Sequence, residues 1–175
     1  MKFAIFIVAV CVPVASAQTP AGRKIGLIQY LQTSYAGTKR NLVAAAEKMP
    51  DADYGFKPSQ MSEARTYGAV IAHAADGMFG ACATARGVVS PATVEKRLTT
   101  KAEIVKALAD SIAFCDVAFS ALTAESAEDY LPQGPFEIPR AALLMGVLAH
   151  NAEMYGISTV YLRAKNLVPP ASAQR

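Results

Sequence analysis

Apolar residues return along this chain every three to four positions, the period of helices packed on one face, while strand-like alternation is nearly absent. The first such segment runs from about Arg23 to Met49 and sets Ile28, Leu31, Tyr35, Leu42, Ala45 and Met49 on one stripe. Pro50-Asp51 closes it, since proline cannot continue the helical ladder, and Asp51 to Arg65 reads as a turn-rich connection. A second helix, about Ala64 to Arg86, aligns Tyr67, Val70, Ile71, Ala74, Met78, Ala81 and Ala85, with Gly87 as its C-terminal cap. Gly87 to Leu98 forms a second connection. The third helix opens on Thr100-Lys101-Ala102-Glu103, where Thr100 can cap the first turn and Glu103 can reach back. Its stripe is Ile104, Leu108, Ile112, Cys115, Phe119 and Leu122. Leu131-Pro132-Gln133-Gly134-Pro135 reads as a loop, and Pro139 suits the first turn of a last helix that continues to about Asn166. That helix aligns Leu143, Val147, His150, Met154, Ile157 and Tyr161. Four amphipathic helices of roughly 20–28 residues predict an all-α four-helix bundle.

The first seventeen residues follow a different logic. Met1-Lys2 is a short positive start, Phe3 to Val14 is almost unbroken apolar sequence, and Ala15-Ser16-Ala17 is a small-x-small cleavage pattern. The run is shorter than the ~20 residues of a membrane span, which disfavours a retained anchor. Cys11 follows the bulky Val10, which disfavours a lipoprotein site. The segment 1–17 is therefore read as a cleaved signal peptide, and 18–175 as a single exported domain without a stable membrane anchor.

Composition narrows the class further. Of 175 residues, 53% are hydrophobic and 18% charged, which excludes a disordered chain. The formal net charge of +3 is spread along the sequence with no block of one sign, so nucleic acid is not an expected partner. There is no Gly-rich phosphate loop, no nucleophile elbow and no paired acid/base carboxylates.

What remains is two histidines, His73 and His150, each in the middle of a helix. His150 lies between Val147 and Met154 on its stripe; His73 lies beside the Val70 stripe, with Gly77 and Gly80 near the same face. The small glycines leave room next to the imidazole. Two imidazoles projecting into a bundle are the start of a metal site. Each could equally be a lone histidine bonded to a neighbour.

The order and spacing of several stretches resemble the DinB-like family of four-helix-bundle proteins over essentially all of 18–175. They are Ala45-Ala46-Glu47-Lys48-Met49-Pro50 with Asp53-Tyr54-Gly55-Phe56-Lys57-Pro58, then Arg65-Thr66-Tyr67-Gly68 leading to Ile71-Ala72-His73. Thr99 to Leu108, Phe114-Cys115-Asp116 and His150-Asn151-Ala152-Glu153-Met154-Tyr155-Gly156 follow, and the last continues through Tyr161-Leu162-Arg163 to Val168-Pro169-Pro170. The resemblance implies that helices two and three run parallel, joined by a long crossover. It also implies a divalent metal on three histidines, one on helix two and an H-x-x-x-H pair on helix four. His73 and His150 match the first two; Met154 stands at the third.

A thioether favours Cu(I) over zinc or nickel, so the expected site is weakened or lost for divalent metal, with a His73-His150-Met154 copper site a remote alternative. Glu153 or Asp76, each about 60° around its helix from a histidine, could serve as an accessory oxygen ligand or orient an imidazole. Characterised family members include thiol-dependent transferases and isomerases, so a metal-dependent thiol transferase or hydrolase stands beside a non-catalytic bundle that takes a small molecule in the cleft. A homodimer is compatible with either.

Cys82 and Cys115 test the topology. An antiparallel hairpin of helices two and three would offset them by about 18 Å, beyond the ~7 Å a disulfide spans. In the parallel arrangement they lie at nearly one height, so both a disulfide and two unpaired core thiols stay open. The signal reading carries its own test: protein recovered from outside the cytoplasm should give the N-terminal sequence Gln18-Thr19-Pro20, and an intact Met1 terminus would refute cleavage.

Overall fold

In the computed structural model, which describes Gly22 and residues 24–91 and 93–173, four long helices alternate in direction as up, down, down, up. They are α1 (Leu27–Lys48), α2 (Tyr67–Arg86), α3 (Lys101–Ser120) and α4 (Arg140–Ala164). Residues 1–17, read above as a signal peptide, lie with Cys11 outside the described residues.

Local chemistry sets the helix ends. Thr66 caps α2 by accepting the Ala69 N–H at 3.1 Å, and Gly87 ends it in the left-handed region at φ 65°. Thr100 and Glu103 form the reciprocal capping box at the start of α3. Two buried tyrosines close the other end of α1: Tyr54 donates to the Ala46 carbonyl at 2.7 Å and Tyr67 to that of Ala45 at 2.6 Å. These carbonyls belong to the last turn, which has no helical donors of its own. Burial pushes both phenols well above the ordinary tyrosine range, so they remain donors.

Contacts along the helices fix their directions. Gly68 near the start of α2 approaches Ile104 near the start of α3, and Cys82 late in α2 is joined by a disulfide to Cys115 late in α3, with Cα atoms 5.3 Å apart. Helices α2 and α3 are therefore parallel, as the resemblance implies, and of the two fates open to the cysteines the bridge is the one found. Lys101 at the start of α3 donates to the Glu47 carbonyl at the end of α1, so α1 opposes α3. Arg140 at the start of α4 donates to the Ala85 carbonyl, and Tyr161 near its end donates to the Arg65 carbonyl at 2.9 Å, so α4 opposes α2.

The core follows the sequence stripes on the first three helices: Leu31, Tyr35, Leu42, Ala45, Val70, Ile71, Ala74, Met78, Ile104, Leu108 and Phe119 are all buried. Two expectations change. The stretch read as a loop, 131–135, belongs to a β-hairpin, β1 (Tyr130–Gln133) against β2 (Phe136–Pro139), with Leu131 opposite Ile138. Gly134 at φ 57° permits its tight turn, and strands of four residues are too short to leave an alternating signal. On α4 the buried line runs through Leu144, Val147, Asn151, Met154, Ser158 and Tyr161, not through His150 and Ile157, which lie at its edge, partly exposed. This helix packs on α1 and α2 at once, so its apolar residues spread around the axis and a single stripe misjudges the centre.

Among the described residues, no helix is long and apolar enough to cross a membrane. The Cys82–Cys115 bridge closes a sequence separation of 33 residues. Replacing both cysteines by alanine should lower unfolding stability by ~3–4 kcal/mol, read from denaturant titration. Equal stability of the variant would remove the bridge from the account of the fold.

Candidate functional site

His73 and His150 meet across the α2–α4 interface with ring centroids 5.1 Å apart. The crossover and the residues beneath it set their surroundings. Parallel α2 and α3 require the chain to travel back along the bundle, and that crossover passes over α2. Asp76, one turn beyond His73, takes the crossover backbone in both carboxylate oxygens: Oδ1 accepts the Val94 N–H at 2.6 Å and Oδ2 the Glu95 N–H at 3.0 Å. This sets the Glu95 side chain over His73, and Glu95 Oε2 lies 2.9 Å from His73 Nδ1.

A carboxylate can only accept, so Nδ1 carries the proton and Nε2 of a neutral His73 is left as the free electron pair. Carboxylate–imidazole pairs of this kind orient metal-ligating histidines and raise their basicity. The other carboxylate oxygen, Oε1, receives Arg65 Nε at 2.8 Å, and Tyr161 holds the backbone of Arg65. Burial raises the Glu95 carboxyl, but hydrogen bonds and charge from Arg65 and His73 outweigh it and hold the group below the ordinary carboxylate range.

His150 is placed by an absence. Gly77 has no Cβ, and one built there would stand 2.8 Å from Cε1 and 3.0 Å from Nδ1 of the His150 ring. The space that Gly77 offers beside His73 is thus filled by the second imidazole, while that at Gly80 stays open. Burial lowers the His150 pKa and the neighbouring His73 lowers it further, against weaker opposite effects of Glu153 and Asn151. Both effects disfavour the imidazolium and so favour the form that has a lone pair to donate.

The remaining candidates separate. Met154 is buried in the apolar core. Asp76 spends both oxygens on the crossover backbone and acts on His73 only by positioning Glu95. Glu153 is exposed. Among the described residues, no group of three or more His, Cys, Asp and Glu side chains is arranged to hold a metal ion. Two residues escaped the sequence reading. Glu95 lies in a connection with no periodicity to mark it, although its closeness to Arg65 and His73 follows from the crossover. Asn151, beside His150 in sequence, is fully buried, and neither its Oδ1 nor its Nδ2 has a hydrogen-bond partner.

No family model matches the sequence, and no curated protein sequence does. Solved structures do share its fold. A DinB-like protein from Bacillus cereus superposes with a TM-score of 0.68 at 16% identity, covering 80% of this chain and 93% of that one. A conserved protein from Enterococcus faecalis gives 0.61 at 12% identity, covering 80% and 97%. A mycothiol-dependent maleylpyruvate isomerase gives 0.60 at 13% identity, covering 74% of this chain and 59% of the isomerase. The architecture is that of DinB-like proteins.

The Gly77–His150 contact generates a sharp test. Gly77→Ala should leave stability within about 1 kcal/mol of wild type, the gain in helix propensity offsetting the crowding. It should nevertheless push the His150 ring away from His73, seen as changed ¹H–¹⁵N imidazole shifts of both histidines. Unmoved shifts would mean the glycine does not set the site.

Proposed function

We propose that the protein is an exported DinB-like domain whose cleft keeps a weakened site for a divalent metal, zinc or nickel, on His73 and His150. The observation that carries this reading is the imidazole pair 5.1 Å apart, one ring oriented through Nδ1 by Glu95 so that Nε2 is free. Imidazole suits zinc and nickel, and the Glu95 contact at Nδ1 leaves Nε2 of His73 open beside the His150 ring, so the residues fit such an ion as a two-histidine site. Catalytic zinc ordinarily has three protein ligands, and the thioether at Met154 adds neither charge nor nitrogen, so affinity should fall short of a complete site. Bound there, the metal would act as a Lewis acid toward a thiol or water. The chain's own contribution is to fix the His73 tautomer through Glu95, to anchor Glu95 through Arg65 and Asp76, and to seat His150 against Gly77.

Export is supported by the signal-like residues 1–17 and by the Cys82–Cys115 bridge, which suits an oxidising compartment. The second reading, a metal-dependent thiol transferase or hydrolase using the same two histidines, draws on the fold shared with a mycothiol-dependent isomerase. Turnover that requires both a low-molecular-weight thiol and added metal would favour it over a binding role.

Calorimetric titration of the purified mature protein with zinc and nickel tests the site. Binding should be measurable and lost by at least tenfold in His150→Ala, whereas Met154→His should tighten zinc by tenfold or more. Identical isotherms for wild type and His150→Ala would end the metal reading.

A further inference from the structure

The turn that carries Glu95 is held by polar contacts and has open space on either side. The N–H groups of Arg97 and Leu98 return to the Val94 carbonyl, and Asp76 accepts those of Val94 and Glu95 at 2.6 and 3.0 Å. Between the turn, α2 and α3 lies a cavity of about 360 Å³, lined by Phe79, Val94, Leu98 and Ala107. On the other side is a cavity of about 300 Å³ whose wall includes Leu98 and Glu95. Protein interiors are ordinarily close-packed, and a side chain that faces a void forfeits the dispersion contacts on that side. Val94 and Leu98 are the apolar grips of this turn, and both line the larger cavity.

That cavity has the chemistry of a small-molecule site. Its volume stands at the small end of the ~300–1,000 Å³ such pockets span. Phe79, which meets Phe114 edge-on, gives it an aromatic wall, and Ala107 adds no bulk. The rim is charged, and its charges are unequally matched. Lys106 pairs with Asp110 at 2.6 Å. Glu103 accepts the Thr100 hydroxyl at 2.7 Å and sits at the positive end of α3, which offsets its charge. Arg97 donates through Nε to the Thr93 carbonyl at 2.7 Å, and among the described residues it pairs with no carboxylate. Its two terminal NH2 groups are left over, the fork that takes a carboxylate in two parallel hydrogen bonds.

We infer that the cavity between the crossover and α3 binds a small carboxylic acid with an apolar body. The carboxylate meets Arg97, and the body lies against Phe79, Val94, Leu98 and Ala107. Such a ligand supplies the packing that Val94 and Leu98 lack and steadies the turn one residue from Glu95. Because Glu95 fixes His73 through Nδ1, occupancy of the cavity is felt at the imidazole pair. The link uses only the Glu95–His73 contact and holds with or without a metal.

The experiment titrates the metal-free mature protein with 1-naphthoate and with its neutral analogue 1-naphthamide, followed by ¹H–¹⁵N NMR. Naphthoate should shift the amide signals of Val94, Leu98 and Ala107 and slow solvent exchange of the His73 Nδ1 proton by about threefold or more. Naphthamide on wild type, and naphthoate on Arg97→Ala, should each bind about fivefold more weakly or worse, the loss of a charge-assisted pair. Arg97 is exposed, so its substitution tests the head group without touching the core. Ala107→Leu, which fills the cavity, should abolish binding. Shifts centred on Arg65 or His150 instead, unchanged affinity in Arg97→Ala, or no binding at millimolar naphthoate would each overturn the site. Binding that leaves exchange of the His73 proton unchanged would overturn its link to the imidazole pair.

Discussion

The carboxylate of Asp76, accepting the backbone N–H groups of Val94 and Glu95, is the contact on which the site depends. Because α2 and α3 run parallel, the chain between them must return the length of the bundle with little more than one hydrogen-bonded turn of its own, at Val94–Leu98. Such a segment lies over a helix only if something satisfies its backbone. Asp76 does so at the point where the next side chain, Glu95, can reach His73. One short-range pairing thus converts a topological necessity into a chemically specific arrangement, and Arg65 completes it from the start of α2.

The opposite wall is made by removal instead of addition. Gly77 lacks the Cβ that would occupy the place of the His150 ring, so two helices that elsewhere interdigitate side chains here bring two imidazoles together. Around this, the tyrosines act as rigid struts with useful tips. Tyr161 meets Phe56 edge-on and Tyr67 at a tilt while its hydroxyl holds Arg65, and Tyr67 reaches the end of α1. The apolar bodies belong to the core, whereas the hydroxyls set where polar residues begin.

Periodicity made the four helices, their caps and most of the core legible, because each of those features is a local pattern of residues three or four apart. Thr100 with Glu103, and Gly87 after Arg86, declare themselves in the same way. His73 and His150 could be singled out since histidine is scarce in this chain and both stand inside helices. Glu95 could not, because its role arises from a contact 22 residues away, created by the crossover. Asn151 was hidden for a different reason. A helix buried on two sides carries no sharp apolar face, so the periodicity centres the α4 stripe on His150, one residue away from the buried Asn151.

The hairpin that leads into α4 has a bearing on how the molecule behaves among its own copies. A two-stranded ribbon has two open edges, and Tyr130 and Phe136 on it are largely exposed, a combination that ordinarily invites strand addition by another chain. Pro132 in β1 and Pro139 in β2 each withhold an N–H, so neither edge offers a continuous row of donors. The same prolines that obscured the strands in the sequence make the ribbon a poor template for intermolecular β-pairing, and the bundle can carry two aromatic rings in solvent without presenting a seed for fibres.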